Sequence, residues 1–239
     1  MKRWHIIALL FFVSFQLQAQ EKEKIRNPHP TGRWYGISTF DMLLSNGEFI
    51  SNGVKWTPKT RFIPFFNLQS QTHYNGKHIG VFTGMGIRNI GFHHFLERDS
   101  AETIYLKQRA YSVNIPAGLK FGNLVRGNYI ALGSEAHYLF HYKSKLKEGN
   151  KTSREREWFS SKINPFSVSV FADLRFKSGS YFKVNFFLFD FLRSSTYNRI
   201  LPLSGESINF SPEKSTLIYF SFGTALKVKK KQPLTLKDV

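Results

Sequence analysis

The sequence predicts an all-β protein, an eight-stranded antiparallel up-and-down transmembrane β-barrel. Three observations lead to this prediction: polar and apolar residues alternate along most of the chain, short and long connections alternate between these segments, and the apolar faces carry almost no charge. Alternation with a period of two is typical of β-strands. Short turns at one end and longer loops at the other are typical of outer-membrane barrels.

The first four predicted strands alternate with different polar partners. The first has the weakest pattern, and its two faces are not assigned. Aliphatic and aromatic residues alternate with Gln and Asn in the second, with Gly and Arg88 in the third, and with Ser, Asn and Lys120 in the fourth. These strands span 33–43, 61–74, 78–92 and 105–122.

The last four predicted strands show the clearest alternation. The fifth and sixth alternate over their full length, whereas Asp190 breaks the register of the seventh, where we expect a β-bulge. Several of the predicted strands exceed the usual length of about 5–6 residues in soluble proteins. They match the about 9–11 residues that a tilted membrane strand needs. These four strands span 128–143, 164–176, 181–193 and 217–228.

The connections between the predicted strands carry a second signal. Asn75-Gly76-Lys77 is a tight turn, because Asn-Gly is a strong hairpin signal. The segments 122–127 and 177–180 are the other short connections, and long ones stand between them. If both termini are periplasmic, the long connections face outward from the cell. The long connections are 44–60, 93–104, 144–163 and 194–214.

The composition limits the classes of protein and partner. The chain has 239 residues, with 34 Lys and Arg against 16 Asp and Glu, and it contains no Cys. The lack of Cys excludes disulfide scaffolds, Cys-ligated metal centres and thiol catalysis. A net charge of +18 ordinarily indicates nucleic acid or an anionic membrane as a partner. We expect no nucleic-acid partner, because the N-terminus predicts export.

The N-terminus is predicted to be a secretory signal peptide over residues 1–19. Lys2 and Arg3 precede an apolar run over 6–15, and Ala19 is a small residue before a cleavage site. The run is too short to cross about 30 Å of hydrocarbon as a helix. The rest of the chain is predicted to form a periplasmic lead, the barrel and a basic periplasmic tail, at 20–31, 32–229 and 230–239.

A soluble exported barrel or sandwich would also show alternation. Such a protein has an apolar interior and a charged exterior. Here one face of the predicted strands combines large charged groups with glycines, which suit a crowded lumen, and the other carries almost no charge, as lipid requires. The sequence therefore favours a membrane barrel over a soluble one. The glycines concerned are Gly80, Gly84, Gly86, Gly133 and Gly223.

One hairpin carries a family resemblance. The strand Tyr111-Ser-Val-Asn-Ile-Pro-Ala-Gly-Leu-Lys-Phe, followed by Gly122 and the strand 129–133, resembles the PorT-like small outer-membrane β-barrel proteins of Bacteroidetes-type bacteria. The resemblance covers roughly residues 32–229 and implies a barrel in a Gram-negative outer membrane. Many members of that group have no assigned activity, and one branch assists a secretion system. The tail 229–239 departs from the pattern, since such barrels often end near a terminal aromatic residue.

The inward faces of the predicted strands carry ionisable side chains. Eight strands enclose a lumen about wide enough for side chains alone, so a wide channel is not expected. Because buried charges must be paired, we interpret the inward residues as a plug of ion pairs and hydrogen bonds. A gated pore or small-ligand site is the alternative. The predicted inward residues are Arg88, Lys120, Glu135, His137, His141, Asp173, Arg175 and Lys183.

A lipid A-modifying enzyme is a third alternative. It needs a nucleophile, a base and an orienting acid within hydrogen-bond reach. Ser134 and His137 are close in sequence, but alternation places them on opposite faces, and Glu135 and His137 fit a lumen pair better than a catalytic dyad. We expect no catalytic residues, no cofactor and no metal site.

The long connection 144–163 is rich in cations. A solvated, mobile loop is one interpretation; contact with phosphates of lipopolysaccharide is the sharper one. Trp34, Trp56 and Trp158 are predicted to lie in interfacial girdles. The tail at 227–231 is basic enough to contact anionic lipid or a periplasmic partner. The predicted anion contacts are Lys145, Lys147, Lys151, Arg154, Arg156 and Lys162.

The sequence thus predicts a non-enzymatic integral outer-membrane protein with a structural or interaction role. A small transport, ligand-binding or secretion-accessory barrel is the second hypothesis.

Overall fold

The computed structural model describes residues 31–32, 34–97 and 103–226. The predicted signal peptide, nearly all of the periplasmic lead and the basic tail lie outside these residues. No helix in the described part of the chain is long and apolar enough to cross a membrane. The described residues form strands β1 Trp34–Asn46, β2 Phe49–Ser51, β3 Val54–Lys59, β4 Arg61–Ile63, β5 Leu68–Asn75, β6 Ile79–Glu97, β7 Thr103–Asn123, β8 Asn128–Glu148, β9 Lys151–Trp158, β10 Phe166–Arg175, β11 Ser180–Phe187, β12 Tyr197–Ile200, β13 Ser207–Phe210, β14 Pro212–Ser215 and β15 Ile218–Leu226.

Eight of these strands pair in a ring, and all the pairings are antiparallel. The order is β1, β5, β6, β7, β8, β10, β11 and β15, and β15 pairs with β1 over Ser38↔Leu226 to Asn46↔Ile218. Each ring strand corresponds to one of the eight predicted strands. The prediction of an all-β antiparallel fold is confirmed. We refer to these eight strands as the ring.

The two ends of the ring differ as the sequence predicted. At the short-turn end, tight turns join β5 to β6, β7 to β8, and β10 to β11. At the long-loop end, the chain forms further strands: β2 pairs with β3 and β14, β3 pairs with β6, β9 pairs with β8, and β12 pairs with β13. The interpretation of 144–163 as a loop is therefore wrong for most of 144–158, which is strand. There β8 continues to Glu148, and β9 returns along it after a tight turn at Gly149, whose φ is +52°.

The second predicted strand is divided into β4 and β5. Pro64 has no N–H for a β-ladder, and Phe66 has a left-handed backbone with φ of +66°. Asn67 stabilises the break, because its side chain donates to the carbonyls of Ile63 and Phe65 at 3.3 and 3.2 Å. Its amide oxygen accepts from the backbone N–H of Asn89 at 3.1 Å. Both β4 and β5 pair with β1, and the Asn67 side chain between them bonds to β6.

A β-bulge in β8 reverses the faces of its outer half. Tyr111 pairs with His141 and the next residue, Ser112, pairs with Leu139, so Phe140 is an extra residue. The bulge lies where β10 stops pairing with β8 and β9 takes its place. Residues after a bulge switch faces, because side chains alternate with a period of two.

Two apolar clusters lie at opposite ends of the ring. The larger one, which we name the cap core, joins the long-loop ends of ring strands to β2, β3, β4 and β13, and all its members are buried. Phe49, Trp56, Phe92, Phe191 and Phe210 are among its large side chains. The smaller cluster contains Phe82, Leu124, Tyr129, Ala131 and Phe171, at the short-turn end. Polar side chains fill the interior between the two clusters.

Candidate functional site

The interior of the ring contains seven of the eight residues predicted to point inward. Their side chains are shielded from solvent inside the ring. The seven buried residues are Arg88, Lys120, Glu135, His137, Asp173, Arg175 and Lys183. His141 is the exception. It follows the bulge at Phe140 and lies on the outer side, where its ring stacks on Trp158 with centroids 4.3 Å apart.

Glu135 is the centre of the main interior cluster. Arg88 Nε donates to Glu135 Oε1 at 2.8 Å, Lys183 Nζ donates to Oε2 at 2.6 Å, and Asn114 Nδ2 also donates to Oε1. Arg88 Nη1 donates to Asp41 Oδ2 at 2.6 Å. Two carboxylates thus balance two cations on four ring strands, and Asn114 adds a fifth strand. We name these five residues the Glu135 cluster.

A second group of contacts lies nearer the short-turn end. Arg175 Nε donates to Asp173 Oδ2 at 2.9 Å, and Arg175 Nη2 donates to Gln71 Oε1 at 2.8 Å. His73 Nε2 lies 3.0 Å from Gln71 Oε1, and its Nδ1 lies 3.1 Å from Lys120 Nζ. Gln71 in turn donates to Gln69 at 2.6 Å. Gln69 Nε2 donates to Glu135 Oε1 at 3.5 Å, so the polar residues of β5 connect this group to the Glu135 cluster.

The sequence did not identify the polar residues that complete these contacts. Asp41 lies on the first strand, whose faces the pattern left unassigned. Gln71 and Asn114 stood on predicted polar faces without a specific role. Their inward position followed from alternation, but their partners lie on strands far apart in sequence.

The interior is crowded enough to require glycine. A β-carbon at Gly223 would lie 2.3 Å from Cζ of Tyr181, and one at Gly80 would lie 2.9 Å from Cε of Lys120. Tyr181 and Lys120 reach across to neighbouring strands over these glycines. The space is already filled by the crossing side chains.

We expect Gly223→Val to lower the free energy of unfolding by about 1–3 kcal/mol, because it overpacks the interior against Tyr181. The measurement is urea unfolding of the detergent-folded protein. Gly36→Val is the matched control, since a β-carbon at Gly36 meets nothing closer than 4.0 Å. Adding Tyr181→Ala should restore part of the loss. Equal stability of the Gly223 and Gly36 variants would contradict the crowding argument.

The outer side of the ring is an uncharged belt. Between the short turns and Tyr111, the outward positions of the described ring strands carry no Lys, Arg, Asp or Glu. Many of these outward residues are large, apolar and exposed, such as Met85, Ile115 and Leu132. The two faces of β8 differ sharply, since Leu132 is 52% exposed and Glu135 is 0% exposed. We name this surface the apolar belt.

Aromatic residues border the apolar belt at both ends. At the long-loop end, His141 stacks between Tyr111 and Trp158, with centroids 5.7 and 4.3 Å away. We name these three residues the aromatic row. At the short-turn end, exposed Trp34 lies 5.3 Å from Tyr74. The third predicted girdle residue, Trp56, is instead buried in the cap core, because β3 turns its side chain inward.

The predicted anion contacts occupy different surroundings. Lys145, Arg154 and Arg156 lie on the outward face of the β8–β9 hairpin, and Lys147 lies further out on the same face. Lys151 is at the hairpin tip, opposite buried Glu148. Within the described ranges, no ion pair is formed by Lys145, Lys147, Arg154 or Arg156.

Lys162 lies elsewhere and is already neutralised. Its Nζ donates to Glu157 at 2.8 Å and also to Glu155. Burial lowers the pKa of Lys162, but these hydrogen bonds outweigh burial, so the pKa is raised. Lys162 is therefore not available to an external anion.

Sequence reasoning missed three further cations beside these. Lys107 and Arg109 lie on the outward face of β7, and Lys143 lies between Arg109 and Arg156 on β8. Uninterrupted alternation over 128–143 would place Lys143 on the inward face with Glu135, but the bulge at Phe140 moves it outward. The spacing of Lys107, Arg109 and Tyr111 at every second residue was a signal that these two cations share the outward face.

No family model matches the chain, and no curated protein matches it. The PorT-like resemblance of the 111–133 hairpin therefore stays a prediction. Among solved structures, the chain is similar to Ail, the attachment invasion locus protein of Yersinia pestis, in complex with the heparin analogue sucrose octasulfate. The identity is 12% and the TM-score 0.32, with 80% of this chain and 97% of Ail covered.

Proposed function

We propose that the protein is an integral outer-membrane β-barrel with a filled lumen and a non-enzymatic, structural or interaction role. One observation carries the proposal. The ring buries charged residues such as Arg88, Glu135 and Lys183 and exposes an uncharged apolar belt. A soluble barrel has the reverse arrangement, whereas a barrel in lipid needs an apolar exterior and tolerates a polar interior.

The height of the apolar belt supports insertion in a bilayer. On β7 the belt runs from Val113 to Phe121, and on β8 it runs from Ile130 to Tyr138. Each run is about the 9–11 residues of a tilted membrane strand. Aromatic residues at both borders match the girdles of such barrels at the two interfaces. In this proposal the short-turn end is periplasmic and the cap faces outward.

The contents of the ring support a filled lumen rather than an open channel. The Glu135 cluster crosses the ring, and the cap core covers its long-loop end. The cations of the cluster are paired with carboxylates within 3 Å. Unpaired charges around an open cavity would instead have favoured a transport or ligand-binding barrel.

The geometry of the candidate catalytic groups supports a non-enzymatic role. Ser134 is exposed on the outer side, whereas His137 is buried inside. His137 Nε2 lies 3.0 Å from buried Ser169 Oγ, and within the described residues its Nδ1 has no hydrogen-bond partner. A catalytic base is normally oriented by a third group and opens to its substrate. This buried pair has neither feature.

Gel mobility tests the proposal directly. We expect the unheated, detergent-folded protein to migrate differently from the boiled protein, because a barrel closed by hydrogen bonds resists unfolding in dodecyl sulfate. Cell fractionation should recover it with the outer membrane. A soluble protein whose mobility is the same before and after boiling would overturn the proposal.

A further inference from the structure

Six cations form two rows on the outward face of β7, β8 and β9. In one row Lys107 pairs with Lys145, which pairs with Arg154; in the other Arg109 pairs with Lys143, which pairs with Arg156. Directly paired residues on one face have β-carbons about 4.5–5.5 Å apart. We name these six residues the cationic face.

The charges of the cationic face are not compensated within the described part of the chain, where none of the six forms an ion pair. Glu155 and Glu157 alternate with Arg154 and Arg156 along β9 and so point to the opposite side. Glu155 accepts from Arg199 at 2.9 Å and from Lys162. Like charges directly opposite each other destabilise a sheet. An external anion would relieve this repulsion.

The positive charge of the cationic face adds to the effect of burial on the pKa values of groups within and beside it. Burial lowers the pKa of Lys107, and Arg61, Arg109 and Lys145 lower it further. Burial also lowers the pKa of His93 to about 4, with additional contributions from Lys107 and Lys59. Lys59 pairs with His93, and His93 pairs with Lys107, so the first row continues onto two more strands.

The cationic face begins where the apolar belt ends. Arg109 and Lys107 are two and four residues beyond Tyr111 on β7. At about 3.3 Å per residue, the two rows lie about 7 and 13 Å beyond the aromatic row along the strand. Because interfacial aromatic rings sit at the headgroup level, the rows stand at the height of lipid phosphates.

The surface between the rows can receive an anion. A groove of about 290 Å³ is lined by the six cations and by Ser144 and Glu155, a directly paired couple that lies between the two rows on β8 and β9. Lysine and arginine side chains form strong charge-assisted hydrogen bonds to phosphate, and arginine can bind it with two parallel bonds. Several cations can therefore contact one phosphate group.

We propose that the cationic face binds phosphate groups of lipopolysaccharide in the outer leaflet. The inference rests on the proposed membrane function and identifies the lipid class that this site recognises. Continuity with the apolar belt favours a lipid over a soluble polyanion, since acyl chains can contact the belt while the phosphates reach the two rows.

The test compares two triple variants of the full chain, folded in neutral detergent and titrated with purified lipopolysaccharide by calorimetry. Lys107→Gln/Lys145→Gln/Arg154→Gln removes one row. We expect binding on the order of 100-fold weaker, at roughly fivefold per cation lost. The control, Lys77→Gln/Arg126→Gln/Lys177→Gln, removes three exposed charges at the short-turn end and should bind within about twofold of the parent.

Two further titrations identify the ligand. Dephosphorylated lipopolysaccharide should bind weakly to the parent, and a soluble sulfated polysaccharide should bind less tightly than lipopolysaccharide. Equal losses in both triple variants, no effect of dephosphorylation, or tighter binding of the sulfated polymer would each overturn the inference. Heat-modifiable mobility of every variant separates this result from the membrane proposal: its loss in the parent would instead overturn the proposed function.

Discussion

Glu135→Gln is expected to lower the free energy of unfolding by about 3–5 kcal/mol, because it leaves buried cations without their carboxylate. Arg88 and Lys183 both donate to Glu135, at 2.8 and 2.6 Å, and all three side chains are almost completely buried. Glutamine retains the size and a carbonyl oxygen but not the charge. Only Asp41 then faces Arg88, so the cluster carries an unbalanced positive charge in a region shielded from water.

The measurement is urea unfolding followed by loss of the fast-migrating folded band. Glu157→Gln provides a matched control, since its ion pair with Lys162 is partly exposed, with side chains 33% and 16% accessible. Pairs of that kind contribute about 0–1 kcal/mol. A Glu135 variant that is no less stable than the Glu157 variant would show that the cluster is solvated in solution.

A second substitution tests whether charge is the cause. Lys183→Met in the Glu135→Gln background returns the cluster to one cation and one carboxylate. We expect the double variant to be more stable than Glu135→Gln alone, with a coupling of about 0.5–3 kcal/mol. Additive losses would instead indicate that packing, rather than charge balance, is disturbed.

The interior of the ring was predictable from the sequence because alternation with a period of two is a local property. The polar faces of 128–143 and 164–176 placed Glu135, His137, Asp173 and Arg175 inside, and the structure places them there. Which residues contact each other was not predictable. Glu135 and Lys183 are brought together by the registers of β8 and β11 on β10, the strand between them, and strand register is a long-range property.

The bulge at Phe140 could not be predicted from the local sequence. Nothing in the sequence of 138–143 marks an extra residue, since both sides of Phe140 continue to alternate. The bulge lies where β8 exchanges one neighbour, β10, for another, β9, which depends on residues far away in the sequence. His141 was assigned to the wrong face for this reason, and alternation alone would do the same for Lys143. Of the cationic face, only Lys145, Arg154 and Arg156 were predicted as anion contacts.

The long connections were misjudged for a different reason. Their high charge resembles a solvated loop, but every second residue of the 144–148 segment is buried, and Leu146 belongs to the cap core. Trp56 was likewise assigned to an interfacial girdle because Trp is common there. Its burial depends on Phe49 and Phe210, whose rings lie 5.8 and 5.6 Å away on other strands.

Phe210→Ala is expected to cost about 3–5 kcal/mol of local stability in the cap, because it leaves a cavity beside Trp56 and Tyr197. The Phe210 ring is 1% exposed and lies 5.4 Å from the ring of Tyr197. Since β12 and β13 pair only with each other among the described strands, the loss should fall on this hairpin rather than on the ring strands.

Limited trypsin digestion of the folded protein measures this effect. Cleavage within 193–214 should become faster by roughly 100- to 4,000-fold, because cleavage follows the population of the opened hairpin and each 1.4 kcal/mol is about a factor of ten. Phe65→Ala is the matched control: Phe65 is 66% exposed, and its loss should change stability by no more than about 0.5 kcal/mol. Loss of heat-modifiable mobility in the Phe210 variant would contradict the local assignment.

The Phe210→Ala variant also tests whether the cap core or the Glu135 cluster blocks the lumen. The cap core and the Glu135 cluster lie at different depths and share no residue. If the cluster alone is sufficient to block the lumen, Phe210→Ala should not conduct in a planar bilayer even when its hairpin is open. A steady current through this variant would show that the cap is the only seal, and that the charges beneath it line a pore instead of plugging it.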